Sequence, residues 1–130
     1  MTDRLLHRAL TEKIIGVFIR LTELGPGFLE SVYSNGMGIA LPDAGLEVAR
    51  EVPVWVHFRG RRIGRFRVDT IVESKVRLEF KAGDRLDPNC KAQVINYLRA
   101  TKIEVGMILH FGQKPHFKRL IETNDRKLIP

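Results

Sequence analysis

The sequence predicts an α/β fold, a central β-sheet with helices packed against it, and three observations point to it. Apolar residues recur at helical spacing near the start, at spacing two in the middle, and at helical spacing again after Pro88. The run Val105 to Phe111 is short and nearly all apolar, as in a strand covered on both faces. The 130 residues amount to about one domain, so a single domain spanning residues 1–130 is expected.

From Asp3 to Leu24 the residues Leu6, Leu10, Ile14, Val17, Phe18, Leu21 and Leu24 fall three and four apart, which predicts an amphipathic helix ended by Gly25-Pro26-Gly27. A second helix is expected from Phe28 through Val32, Tyr33, Met37 and Leu41. Gly36 and Gly38 each cost it about 1 kcal/mol relative to alanine, and Pro42 should kink or stop it. Val52, Val54, Val56 and Phe58 then alternate as a strand, and Arg59-Gly60-Arg61-Arg62 looks like a hairpin turn. The return strand is expected over Ile63 to Glu73 and a third strand over Val76 to Lys81, giving a meander. Asp87-Pro88 suits a helix start, with Asp87 as N-cap, and that helix should end near Thr101. A strand at Val105 to Phe111 and an edge strand at Phe117 to Ile121 complete the order ααβββαββ.

Composition narrows the function classes. Hydrophobic residues at 44% and charged residues at 28% describe an ordinary globular chain. A formal charge of +7 favours a polyanionic partner such as nucleic acid, although solubility alone also accounts for such a surplus. The lone cysteine, Cys90, allows no internal disulfide and fits a reducing cytoplasm. No apolar stretch approaches the roughly 20 residues of a membrane span, and Met1 to Arg8 lacks a signal peptide's apolar core. His7, His57, His110 and His116 show no metal-ligand spacing, and Gly25-Pro26-Gly27 lacks the following Lys-Ser/Thr of a phosphate loop.

Alternation places Arg65, Arg67, Asp69 and Ile71 on one face of the return strand, and Glu79 and Lys81 on one face of the next. Two carboxylates and an amine converging across a hairpin are costly to bury unless a cation compensates them. Asp69, Glu79 and the backbone carbonyl of Phe80 offer an oxygen set suited to Mg²⁺, or to Mn²⁺, with Lys81 able to orient or deprotonate an attacking water. The alternative is a solvated sheet face held by a cross-strand ion pair.

Further elements carry a resemblance. Gly27-Phe28-Leu29-Glu30-Ser31-Val32-Tyr33 matches the pattern that names the GxxExxY protein family, a branch of the PD-(D/E)XK nuclease superfamily. Arg67-Val68-Asp69, Leu78-Glu79-Phe80-Lys81-Ala82, Gln93 to Ala100, and Val105-Gly106 with His110-Phe111-Gly112 resemble that family in order and spacing. The resemblance spans roughly Leu21 to Ile121. It implies a restriction-endonuclease-like core, a mixed sheet flanked by helices in the order αβββαβ with an extra N-terminal helix. It also implies Asp69 and Glu79 as metal ligands, Lys81 as the catalytic lysine and Glu30 as an additional acidic residue. Gln93 and Tyr97 resemble the Gln-x-x-x-Tyr element of RecB-like branches, which positions substrate or the acidic centre.

Each of these residues also has a structural explanation. Glu30 can serve the positive end of its helix, Tyr33 and Tyr97 can be core aromatics, and Gln93 can be a surface residue. The chain departs from the family where Gly36, Gly38 and Pro42 replace helix formers and Val68 stands in place of proline.

Arg65 and Arg67, on the Asp69 face, are the arginines best placed to contact phosphate; Arg59, Arg61 and Arg62 equally suit a solvated turn. The expected function is metal-dependent hydrolysis of nucleic-acid phosphodiester bonds, DNA ahead of RNA. The alternatives are a non-catalytic nucleic-acid-binding or assembly protein with this fold, and a protein-partner module, homo-oligomers included, using the edge strand or the first helix.

Overall fold

The computed structural model of the chain describes residues 6–127. Helix α1 spans Arg8–Leu21 and runs into a 3₁₀ turn at Thr22–Leu24, so the apolar period seen in the sequence continues through a change of helix type. The expected start at Asp3 lies outside the described residues. Helix α2 spans Glu30–Asp43. Pro42 sits inside its last turn and does not stop it; the end comes at Ala44 and Gly45, the latter with φ +84.

Strands β1 (Val48–Phe58), β2 (Arg61–Val72) and β3 (Val76–Ala82) form the expected meander. The two-residue β1–β2 turn uses the paired positive φ angles that match strand twist, Arg59 (50) with Gly60 (75), and Glu73 (53) with Ser74 (55) repeats the pairing in the three-residue β2–β3 turn. Helix α3 (Cys90–Ala100) starts two residues later than expected, because Asp87 accepts the Asn89 N–H at 2.9 Å and caps the approach to the helix. Strands β4 (Val105–Phe111) and β5 (His116–Ile121) follow. Among the described residues the five strands form one sheet in sequence order, antiparallel except where α3 crosses from β3 to a parallel β4. This is the restriction-endonuclease-like α/β arrangement, a mixed sheet with flanking helices.

The sheet separates two apolar layers. Tyr33, Met37, Leu41 and Phe18 of α1 and α2 pack with Leu78, Phe80, Met107 and Phe111 on one face. Val94, Tyr97 and Leu98 of α3 pack with Val68, Ile71 and Ile108 on the other. Every residue of β4 is buried, as its unbroken apolar run implied.

Gly106 brings α3 close to the sheet: a Cβ there would stand 2.7 Å from Val94 Cγ1. No helix among the described residues is long and apolar enough to cross a membrane.

Candidate functional site

The cleft forms where β2 and β3 part. Their ladder pairs Val72 with Val76, Ile71 with Arg77 and Thr70 with Leu78, then ends, leaving Asp69 and Glu79 as the next residues on the two diverging strands. On the far side of β2, the β1 ladder skips one pair between Arg50↔Thr70 and Val52↔Val68. The skipped residue of β1 is Glu51, held at φ 58, a left-handed conformation that costs a non-glycine residue about 1–3 kcal/mol.

Strict alternation fails here. Val68 and Ile71, three residues apart, both pack beneath α3, whereas Asp69 turns toward α2. Asp69 and Ile71 therefore do not share the face that simple period-two counting assigned them.

Each acidic side chain is held by a cation. The Ser34 hydroxyl donates to Asp69 Oδ2, and Arg50 Nη2 donates to Asp69 Oδ1 at 3.3 Å, to Ser34 Oγ at 3.0 Å and to Asn35 Oδ1 at 3.0 Å. Gly38 makes room for that arginine, since a Cβ there would lie 2.9 Å from Arg50 Nη1. Glu79 is paired with Arg77 two residues back on the same strand, and the Arg77 guanidinium lies 5.1 Å over the Tyr97 ring. Lys81 Nζ stands 3.8 Å from both Glu79 Oε1 and Glu30 Oε1, joining the sheet to the first turn of α2. Partial burial pushes the Glu30 carboxyl up; Lys81 opposes the shift, while Glu79 and Asp69 add to it.

Tyr33 fixes where α2 begins. Its hydroxyl donates to Gly25 O at 2.6 Å and accepts from the Phe28 N–H at 3.3 Å, and its ring stacks on Phe111 at 4.4 Å. The tyrosine thereby orders the Gly-Pro-Gly loop and sets Glu30 at the head of the helix.

Asp69, Glu79, Glu30 and Phe80 line one cleft of about 350 Å³, together with Ser34, Arg50, Glu51, Arg67 and Arg77. Phe80 lines the same cleft while its ring belongs to the core. Arg67 reaches Glu51 Oε2 at 2.9 Å, and Arg65 stacks near Trp55 farther along the strand. Two sequence candidates lie apart. Gln93 is exposed on α3 and lines no part of this cleft. Tyr97 is 2% exposed, so burial rules out direct contact with a nucleic-acid strand; its ring supports Arg77 instead.

Ser34, Arg50 and Arg77 escaped sequence reasoning. Only the alternation of Arg77 with Glu79 gave any local sign of one of them. A larger cleft of about 450 Å³ between α1 and α2, lined by Val17, Leu21 and Ala40 among others, brings together only Arg20 and Asp43 as charged groups.

Residues 8–120 match the sequence model of the PD-(D/E)XK nuclease superfamily. The chain belongs to that superfamily. PD-(D/E)XK nucleases typically use divalent metals. No curated protein matches the chain. Among solved structures, the crystal structure of SSO0001 is similar at 19% identity with a TM-score of 0.54, covering 72% of this chain and 50% of that one. The chain thus spans about half the length of that protein, and the likeness concerns the fold alone.

The donor set of this PD-(D/E)XK cleft suits a hard dication. Among the described residues no three His, Cys, Asp or Glu side chains group as a ready-made cage. Mg²⁺ needs no such cage, since it is usually held by one or two carboxylates and keeps its remaining positions for water and substrate phosphate. Asp69 and Glu79 bring two carboxylates to this cleft, which is the number such an ion takes from protein.

Proposed function

We propose that the chain is a single-domain, metal-dependent nuclease of the GxxExxY branch that hydrolyses DNA phosphodiester bonds. The observation that carries the proposal is the convergence of Asp69, Glu79 and Phe80 on one cleft, with Lys81 3.8 Å from both Glu79 and Glu30. Asp69, Glu79 and the Phe80 carbonyl would hold Mg²⁺ or Mn²⁺, which supplies a Lewis acid at the scissile phosphoryl group. Lys81 orients the attacking water and offsets charge developing on the phosphate, while Glu30 holds the lysine in place. Ser34 and Arg50 fix the Asp69 carboxylate, Arg77 fixes that of Glu79, and Arg67 offers a guanidinium to the phosphate next to the cut. Gln93 stands outside this set.

One observation favours a second reading, a non-catalytic nucleic-acid-binding protein: both carboxylates already have arginine partners, so neither needs a metal to offset its charge. Labelled single-stranded DNA, duplex DNA and RNA incubated with the wild type, Asp69→Asn and Lys81→Ala in Mg²⁺, Mn²⁺ or chelator separate the two. Metal-dependent DNA cleavage that both substitutions reduce by about 10²-fold or more is the expected result. Binding without cleavage in either metal would sink the nuclease proposal in favour of the binder.

A further inference from the structure

We propose that the β1–β2 ribbon is a guide for single-stranded DNA, with Trp55 as the stacking platform for an unpaired base. The proposal deepens the nuclease reading and rests on it for the choice of polymer.

β1 and β2 pair from Val48↔Val72 out to Phe58↔Arg61, but β3 joins β2 only at Thr70 to Val72. Beyond Val68 the two strands therefore run on as a ribbon without a third. From Val52 to Val68 this segment contains no Asp or Glu, and it carries five arginines at 59, 61, 62, 65 and 67. A surface stripe of one sign is the footprint of a polyanion partner.

Trp55 sits within that stripe. It is 38% exposed and lies opposite Arg65 in the ladder. The Arg62 guanidinium lies 4.4 Å from its ring centroid and that of Arg65 5.6 Å. Arginines packed on an indole hold a flat π-surface in place and put positive charge beside it. That pairing suits a nucleotide, whose base stacks while its phosphate is neutralised.

Position links this platform to the cleft. Pro53↔Arg67 and Trp55↔Arg65 are alternate pairs of one ladder, so they share a face, and Arg67 lines the cleft with Asp69. Asp69 and Arg65 stand four positions apart on β2, which at a strand rise of about 3.3 Å is about 13 Å, the span of a few nucleotides. A strand entering the cleft can thus lay a base on Trp55 a few nucleotides from the cut. In a duplex the same base is already stacked inside the helix and presents only its edge.

Trp55 is the chain's single tryptophan, so its emission reports this ribbon alone. The test is to titrate the full chain, in chelator, with a short oligothymidylate, with a blunt duplex of equal length and with oligouridylate. The expected result is quenching of Trp55 by the single-stranded DNA at a concentration about tenfold or more below that needed for duplex. By anisotropy of a labelled strand, Trp55→Ala should lose about tenfold in affinity and Trp55→Phe should keep most of it.

Equal or tighter duplex binding overturns the proposal. So does strand binding that leaves the wild-type Trp55 emission unchanged while Trp55→Ala keeps the wild-type affinity, and tighter binding of oligouridylate overturns the assignment to DNA. Chelator removes turnover, so the two proposals fail separately. Cleavage with an unquenched Trp55 sinks the ribbon alone, and quenching without cleavage in Mg²⁺ or Mn²⁺ sinks the nuclease alone.

Discussion

Arg77 is 6% exposed, and its Nε and Nη1 are buried without hydrogen-bond partners while Nη2 serves Glu79. A guanidinium in that position is held by its carboxylate and by the Tyr97 ring, and it competes with any cation that approaches Glu79. Arg77→Met keeps much of the apolar stem and removes the charge. Stability should fall by about 3 kcal/mol, read from urea unfolding, because a buried pair loses one member. Mn²⁺ affinity, read by calorimetry, should rise about tenfold because the competitor is gone.

Cys90 presents the opposite chemistry. It is fully buried, and that burial pushes its thiol up, with the charge of Glu79 adding to the shift. Native protein should therefore resist alkylation at neutral pH and react only after unfolding, as mass spectrometry of iodoacetamide-treated samples would show.

At the scale of elements, the glycines of α2 look like defects in the sequence and act as clearances in the fold. Gly36 faces the Leu21 side chain, 3.0 Å from where its Cβ would be, and lets α1 and α2 approach; Gly38 admits Arg50. Only the far end of a flexible side chain crowds Gly38. Gly38→Ala should therefore gain up to about 1 kcal/mol of helix propensity, a rise of roughly 3 °C in melting temperature, while displacing Arg50 and weakening the hold on Asp69. A melt and a cleavage assay on the same variant would show stability and activity moving in opposite directions. Gly106→Ala is a different case, because its obstacle is the buried Val94 of α3. That variant should lose about 1–3 kcal/mol, measured as a lower urea midpoint.

Across the whole molecule the +7 charge is unevenly placed: the ribbon segment Val52 to Val68 is purely basic, whereas the cleft offsets each central carboxylate with a cation. Binding to DNA should accordingly weaken with salt, and Arg65→Gln should lower the slope of log affinity against log salt by about one without changing sequence preference. Substituting Arg67 should change the slope less, since its guanidinium is already paired with Glu51 at 2.9 Å.

Periodicity alone determined the succession of elements, because a helix and a strand each bury one side at a fixed repeat. It delimited β4 completely and placed Glu79 and Lys81 together. The family motifs added Glu30, which lines the cleft beside Asp69. What tertiary structure decided was orientation and partnership. The skipped pair at Glu51 and the slip of alternation between Val68 and Ile71 turn Asp69 toward α2, and no local repeat encodes such a slip. Ser34 and Arg50 meet Asp69 across 35 and 19 residues of chain, and helical spacing that set Gln93 and Tyr97 as neighbours could not tell which of them the sheet would bury. Local sequence sets the repeat of each element; the packing of elements decides where that repeat slips and what each face meets.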